Sequence, residues 1–358
     1  MLTEPAIKLG LDVLVLDPTP NCPAAQVGAK QIIGSWKDRE LLGQVVEQSD
    51  FFTIEIEHID TKTLKKFKNK KINPHPKTIE LIQNKLEQKK LLQKNGIAVG
   101  EFDEITSWDD VIKKLEKWDG KLYLKKKYDA YDGRGNWFFN GSDQIKEFSK
   151  FNKSEDFYIE KLIRFKREIA VIVAKDINGN IKSYPATETI HKRNICVETH
   201  TPTGLPAFVD SKAIKLAEGA VSLLDGAGIY GVEMFLTEFD DLMINEIAPR
   251  VHNSGHYTMD ACETSQFEQH VRAVTGMKLG STKMKVPAAV MINILGERDG
   301  QVKLNGVEEA EKIDGVSVYI YGKSPTKIDR KMGHINAIGD TIEAAREKAL
   351  KARRMISI

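Results

Sequence analysis

Gly231-Val232-Glu233-Met234-Phe235-Leu236-Thr237, turning through Glu238-Phe239-Asp240-Asp241 into Leu242-Met243-Ile244-Asn245-Glu246-Ile247, reads as a β-hairpin. Glu233 and Glu246 are equidistant from the midpoint between Phe239 and Asp240, so a loop of two or four residues sets the two carboxylates directly opposite each other. Opposed Cβ atoms in such a pair lie about 5 Å apart, where like charges destabilise the sheet unless something neutralises them. A hard divalent cation does this, and Mg²⁺ is typically held by one or two carboxylates while it bridges substrate phosphates. The alternative is a solvent-exposed edge on which the charges diverge. Apolar strand neighbours (Val232, Met234, Ile244, Ile247) favour the metal, with Glu233 and Glu246 as its ligands.

The chain leaves the hairpin through Asn245-Glu246-Ile247-Ala248-Pro249-Arg250-Val251-His252-Asn253-Ser254-Gly255-His256. An arginine, two histidines and an asparagine in one loop after a candidate metal carboxylate are more polar groups than core packing requires. His252 and His256 have the i, i+4 spacing of helical metal ligands, but Ser254 and Gly255 argue against a helix, which favours substrate contact. Upstream, Tyr128-Asp129-Ala130-Tyr131-Asp132-Gly133-Arg134-Gly135-Asn136 joins two strands just after Lys125. Its glycines permit close approach of the backbone to an anion that Lys125 and Arg134 can neutralise; an ordinary turn with an incidental arginine is the alternative. Tyr321-Gly322-Lys323 and Arg330-Lys331-Met332-Gly333-His334 bring cations close to a turn, which suits a phosphate monoester and equally a basic surface loop. Gly226-Ala227-Gly228-Ile229-Tyr230-Gly231 satisfies GxGxxG, but here a helix precedes it and a strand follows. That is the reverse of the order a nicotinamide or flavin site needs.

The 358 residues correspond to two or three domains at roughly 150 residues each. A net charge of +2, with 41% hydrophobic and 29% charged residues, describes a folded globular protein and not a coat for a polyanion. The lysine-rich segment 62–71 lacks an accompanying aromatic series, so a solvated helix face is the better reading and no nucleic-acid partner is expected. The apolar stretch 286–295 is interrupted by Pro287 and Asn293 and falls short of the ~20 residues of a membrane span. Glu4 and Lys8 break any signal-peptide core, and Cys22, Cys196 and Cys262 form neither a disulfide framework nor a CxxC site, which points to reducing cytosol. Patterning predicts a helix over 3–9, a strand over 12–16, a helix over 37–48 and a strand over 51–57. After the break at Asn73-Pro74-His75-Pro76, a helix capped by Thr78 runs to about residue 95. A compact α+β segment follows over 100–165. Strands at 167–175 and 182–185, helices at 212–225 and 264–275, a strand at 289–295 and a helix at 341–354 complete the chain.

Five motifs occur in order: Asp17-Pro18 with Cys22-Pro23-Ala24-Ala25-Gln26-Val27, Thr53-Ile54-Glu55-Ile56-Glu57-His58, Tyr131-Asp132-Gly133-Arg134-Gly135, Asn245-Glu246-Ile247-Ala248-Pro249-Arg250, and Arg330-Lys331-Met332-Gly333-His334. Together they resemble the N5-carboxyaminoimidazole ribonucleotide synthetase family, ATP-grasp enzymes of purine biosynthesis, over almost the whole chain. The resemblance implies a mixed α/β and α+β ATP-grasp fold. Its parts would be an N-terminal parallel-sheet (pre-ATP-grasp) domain over 1–76, an ATP-grasp domain over 77–285 with a lid at about 100–165, and a small C-terminal module over 286–358. It implies carboxylation of 5-aminoimidazole ribonucleotide by bicarbonate at the expense of ATP, through carboxyphosphate, on the route to IMP, in a cytoplasmic homodimer.

By matching positions, the resemblance assigns Lys85, Lys125, Glu160, Lys161, Leu162, Ile163, Glu168, His191, Asn245 and Glu246 to ATP, and Glu233 and Glu246 to Mg²⁺. Arg250, His252 and Asn253 would face bicarbonate, with Tyr131, Asp132 and Arg134 toward the aminoimidazole nucleotide. Lys323, Arg330 and Lys331 would take its 5′-phosphate, and either Glu55 or Glu57 its aminoimidazole. Three departures stand out. The family's first strand and glycine-rich turn are missing ahead of the opening helix, about 15 residues by the length of such a unit. Asp129-Ala130 replaces a glycine pair in the lid loop, and Val251 stands where proline is common. A formate-dependent or other carboxylate–amine ligase of the same superfamily, or a nucleotide-binding protein without turnover, are the rival expectations.

Overall fold

Residues 169–174 are six consecutive side chains (Ile-Ala-Val-Ile-Val-Ala) that are all buried, so the strand that carries them, Phe165–Lys175, must be covered on both faces. In the computed structural model, which describes residues 1–129 and 135–358, it is. Alternate residues feed two different cores. Ile169, Val171 and Val173 pack under the helix Ala207–Ser222, while Ile172 and Ala174 face Tyr184, Tyr257 and Ala273. That helix turns Val209, Ala213, Ala217 and Ala220 to the sheet at three- and four-residue spacing; it begins five residues before the expected 212 because Pro206 sets its start.

The strand lies within a nine-stranded sheet whose order is Leu242–Ala248, Gly228–Thr237, Phe165–Lys175, Thr187–Lys192, Ile195–Thr201, Ala288–Leu295, Lys331–Gly339 and Val316–Ile320, with Ile181–Ser183 paired to Phe165–Lys175. Every pairing in it is antiparallel. Ala288–Leu295 continues the sheet directly from Ile195–Thr201, so the C-terminal module shares its backbone hydrogen bonds with the central domain. Four of these strands, Thr187–Lys192, Ile195–Thr201, Val316–Ile320 and Lys331–Gly339, were not foreseen, and the Arg330 to His334 run lies mainly in the last of them and not in a turn.

The lid is a separate four-stranded sheet, Phe102–Glu104, Phe157–Lys161, Leu122–Lys126 and Asn136–Phe139. Its own core includes Val111, Leu115, Leu122, Leu124, Ile145 and Ile159, closed by the edge-on rings of Trp137, Phe148 and Phe157.

At the N-terminus two short parallel pairs replace one sheet: Leu14–Asp17 with Lys30–Ile33, and Phe51–Phe52 with Lys71–Ile72. The strand expected over 51–57 stops at Phe52; Ile54 turns into the local core with Leu42, Val46 and Ile79, and Glu55 and Ile56 turn out to solvent. The helix expected from Thr78 to about 95 is two helices, Pro76–Gln83 and Lys85–Lys94. Asn84 ends the first and caps the second, its Oδ1 accepting the Leu86 and Glu87 N–H groups at 3.1 and 3.2 Å. Thr78 is not a cap: its hydroxyl donates to the Asp225 carbonyl and accepts the Asp225 N–H, which ties the first domain to the second. No helix among the described residues is long and apolar enough to cross a membrane.

A buried charge cluster joins the C-terminal helix Ile342–Met355 to the sheet. Glu198 accepts from Arg346 and from His200 Nε2, while His200 Nδ1 lies 3.6 Å from Glu188, itself paired with Arg167 at 2.9 Å. Burial alone would discharge His200, but Glu188 and Glu198 outweigh it and push its pKa up to about 9. The His200 contribution to stability is therefore full below its ordinary 6.5 and lost as pH rises through about 9. Thermal melts of the wild type between pH 7 and 10 are expected to show this loss, and His200→Gln to lower the pH 7 midpoint by about 2–4 °C while flattening that dependence.

Candidate active site

The hairpin holds its two glutamates opposite each other, but by a different route from a simple two- or four-residue loop. Thr237 N–H donates to the Asp241 carbonyl at 2.9 Å, which closes a three-residue loop over 238–240 with Asp240 at φ 65°. That register alone would set Glu233 against Asn245. A bulge between Glu233 and Met234 absorbs one residue, so that Met234 faces Ile244 and Glu233 faces Glu246. Burial and the nearby Glu246 charge push the Glu233 carboxyl well above its ordinary range. Glu246 is held below it, because Lys85, and after it Lys125, outweigh the effect of burial.

Lys85 is aimed by a side chain that stands in for a strand. Leu242–Ala248 is an edge strand, and Gln88, buried one turn after Lys85, accepts the Ile247 N–H at 3.0 Å and donates to the Ile247 carbonyl at 3.3 Å. Ile244 N–H donates to the Ala98 carbonyl at 2.8 Å. These bonds fix the helix Lys85–Lys94 against the hairpin, and Lys85 Nζ meets Glu246 Oε2 at 2.5 Å. The recess beside this pair is lined by Lys85, Lys125, Asn245 and Glu246, all expected there, and by Gln88, Lys89, Asn136 and Tyr158, which were not. Glu160, expected along the adenine pocket, turns its carboxylate inward between Lys89 and Lys125. Lys161 ends the strand Phe157–Lys161, and Leu162 and Ile163 follow it, with Ile163 packed beside Gly100. Glu168 and His191 lie 3.3 Å apart, and their charges act on Glu233.

On the other side of the carboxylates, His252 Nε2 approaches Glu233 Oε1 at 3.3 Å. Its Nδ1 accepts from Ser254, 2.8 Å from the hydroxyl, which places the ring proton on Nε2. Burial, then the Arg250 and Lys331 charges, pull the His252 pKa down to about 3, so the ring is neutral. His252 packs directly on Gly231, where a Cβ would come within 2.6 Å of His252 Cβ and Cγ. His256 is buried beside Phe267 and His334 and bonds Gln266 at 3.0 Å, so it is part of the packing and not a metal ligand with His252.

Arg250 pairs with Glu57. Its guanidinium grips Glu57 in a two-pronged contact, through Nε to Oε2 and through Nη2 to Oε1 at 3.1 Å, whereas Glu55 is exposed. Asn253 exchanges two amide hydrogen bonds with Asn293 of the C-terminal module, at 3.0 and 2.6 Å, and Asn293 Nδ2 also donates to the Cys196 carbonyl at 2.8 Å. Because a carbonyl only accepts, that last bond fixes the orientation of both amides. Lys331 acts electrostatically on His191 and His252, so it belongs to this cleft. Lys323 Nζ donates to the Lys331 carbonyl at 3.1 Å and sits over the Tyr321 ring, and Arg330 donates to the Pro325 carbonyl. Tyr131, Asp132 and Arg134 lie outside the described residues.

Gln88, Lys89, Asn136, Tyr158 and Asn293 are the site residues that patterning missed. The Gln88-Lys89 pair left a trace, as polar residues on the buried side of an otherwise ordinary helix.

A lid sheet over a central antiparallel sheet, with opposed glutamates and lysines between them, defines the ATP-grasp class. The ATP-grasp domain family matches residues 90–267, the ribonucleotide synthetase preATP-grasp domain residues 1–83, and the phosphoribosylaminoimidazole carboxylase C-terminal domain residues 289–348. A phosphoribosylaminoimidazole carboxylase of Ogataea methanolica is 42% identical over 96% of this chain, and the chain spans 65% of that protein's length. The N5-carboxyaminoimidazole ribonucleotide synthase of Bacillus subtilis is 37% identical, with 94% of this chain and 87% of the relative covered. The crystal structure of the Aspergillus clavatus N5-carboxyaminoimidazole synthase with ADP and 5-aminoimidazole ribonucleotide superposes with a TM-score of 0.89 at 36% identity, covering 99% of this chain and 95% of that one. The chain belongs to the N5-carboxyaminoimidazole ribonucleotide synthase family.

The contact between Gly231 and His252 gives a direct test of the site. Gly231→Ala forces the imidazole away from Glu233, and a displacement of about 1 Å is expected to cut turnover roughly 100-fold. Circular dichroism should show the fold retained, since overpacking of this kind costs about 1–3 kcal/mol.

Proposed function

We propose that the protein carboxylates 5-aminoimidazole ribonucleotide with bicarbonate, converting ATP to ADP and phosphate and yielding N5-carboxyaminoimidazole ribonucleotide for purine biosynthesis. The observation that carries this reading is the pairing of Glu233 with Glu246 beside Lys85, within one cleft that also holds Arg250 and His252. Bicarbonate is a weak nucleophile and its approach to a triphosphate gathers negative charge. Catalysis then consists of positioning and charge neutralisation.

The donor set suits Mg²⁺. Two hard carboxylate oxygens face each other with one carboxyl strained toward protonation, and no group of three or more His, Cys, Asp or Glu is gathered for a metal among the described residues, which fits a cation that completes its shell on substrate phosphates. Bound between Glu233 and Glu246, Mg²⁺ would supply charge neutralisation on the β- and γ-phosphates. Lys85 and Lys125 neutralise the same oxygens from the other side, Asn245 lines the recess, and Glu160 to Ile163 with Glu168 and His191 hold the adenosine.

A bicarbonate oxygen attacks the γ-phosphorus, the bond to the ADP oxygen breaks, and carboxyphosphate forms. Arg250 and the amide of Asn253 hold the bicarbonate oxygens, and neutral His252, with its proton on Nε2, donates into the cleft. The aminoimidazole amine then attacks the carboxyl carbon and phosphate departs. Glu57, kept ionised by Arg250 despite its burial, is positioned toward that amine. Tyr131, Asp132 and Arg134 bind the aminoimidazole nucleotide, and Lys323, Arg330 and Lys331 take its 5′-phosphate. Exclusion of water is essential here, because carboxyphosphate hydrolyses readily. We place the enzyme in the cytosol as a homodimer.

ADP release, assayed with bicarbonate and aminoimidazole ribonucleotide separately and together, is expected only when both are present; release indifferent to either would refute the reaction. Glu246→Ala is expected to abolish turnover, and an unchanged rate would remove the metal from the proposal. Omitting Mg²⁺ should have the same effect on the wild type.

A further inference from the structure

Glu160 is buried to 3% exposure and is held by one hydroxyl and two ammonium groups. Its Oε1 accepts the Tyr158 hydroxyl at 2.9 Å and lies 3.1 Å from Lys89 Nζ, while its Oε2 lies 2.8 Å from Lys125 Nζ. The two lysines are not equivalent. The Lys89 side chain is 3% exposed and its ammonium is out of line for a hydrogen bond, whereas Lys125 is 14% exposed; both line the recess that holds Lys85 and Glu246.

If Glu160 were paired with Lys125 alone, the pair would be neutral and self-contained. Drawing Lys125 toward a phosphate would then strand a buried carboxylate beside an arriving polyanion, and an uncompensated buried charge is strongly unfavourable. A second ammonium on the other oxygen changes this. With Lys89 and Tyr158 on Oε1, Glu160 stays compensated when Oε2 gives up its partner, and the surplus positive charge of the cluster is available to the ligand.

We propose that Lys89 is a positioning residue of the nucleotide site: as the standing counter-ion of Glu160, it releases Lys125 from Glu160 to the nucleotide phosphates. The inference rests on the ATP-binding reading above and deepens it, because Lys89 acts through Glu160 and touches no nucleotide.

Titration calorimetry with MgADP on the intact protein tests it. Lys89→Met is expected to weaken binding about tenfold or more. The KM for ATP should rise while kcat changes much less. The double variant Lys89→Met/Glu160→Gln is expected to bind at least about fivefold more tightly than Lys89→Met, since a neutral amide no longer retains Lys125. Destabilisation alone would lower kcat or the active fraction without raising the KM for ATP. Unchanged MgADP affinity in Lys89→Met overturns the proposal, and so does a double variant no better than the single one, which is the outcome if Lys89 contacts phosphate directly. Lys89→Gln carries the same expectations should Lys89→Met fail to fold. Wild-type protein that bound no MgADP would instead overturn the functional reading on which this one stands.

Discussion

Two carboxylates on facing strands repel each other, and the structure is arranged so that they cannot move apart. Cross-strand pairing fixes the Cβ atoms of Glu233 and Glu246 at sheet distance, and both strands continue into fully buried apolar residues on either side. The only relief is a positive charge. In the ligand-free protein Lys85 provides it at Glu246, and the imbalance remains at Glu233, whose carboxyl is driven up while that of its neighbour is held down. Under the reaction proposed above, such a site would suit a divalent cation that arrives with its own anionic oxygens and whose charge Glu233 and Glu246 would hold between them.

That constraint draws in the other domains. Gln88 satisfies the backbone of the hairpin's edge strand and so brings Lys85 to Glu246. Glu57 reaches across from the N-terminal domain to hold Arg250, and Asn293 reaches from the C-terminal module to set the amide of Asn253. Each of these contacts joins residues more than 30 positions apart, and each fixes a side chain that already has a candidate role in the chemistry. The cleft is therefore assembled from three folding units, and its geometry depends on their packing as much as on local structure.

This explains which parts of the molecule were legible in the sequence. The opposed glutamates were, because β-pairing imposes a strict arithmetic on a hairpin; yet that arithmetic reached the right pair through the wrong loop, since a three-residue turn and a compensating bulge give the same result. The last glycine of the reversed GxGxxG makes room for His252. The strand over 51–57 failed because alternation cannot reveal that no neighbour is available beyond Phe52. The long helix after Thr78 failed because Asn84 could be read as an interior residue until its cap bonds were visible. Tyr158 left no signal, and Asn293 showed only as a polar interruption of an apolar stretch: their roles exist only through partners distant in sequence or across a sheet, which residue type and period do not identify.

The electrostatics of the recess then follow from burial and not from the number of charges. Lysines 85, 89 and 125 face glutamates 160, 233 and 246 in equal number, so the bare count predicts a neutral, indifferent site. Glu233, however, resists ionisation, and Glu160 is committed to two ammonium groups at once. The effective balance in the cleft is positive where a phosphate would lie and strained where a metal would lie. Water alone would screen both features. The lid sheet has an aromatic core of its own and carries Lys125 and Glu160 on its strands Leu122–Lys126 and Phe157–Lys161, so part of the charge balance in the recess is set by the lid itself.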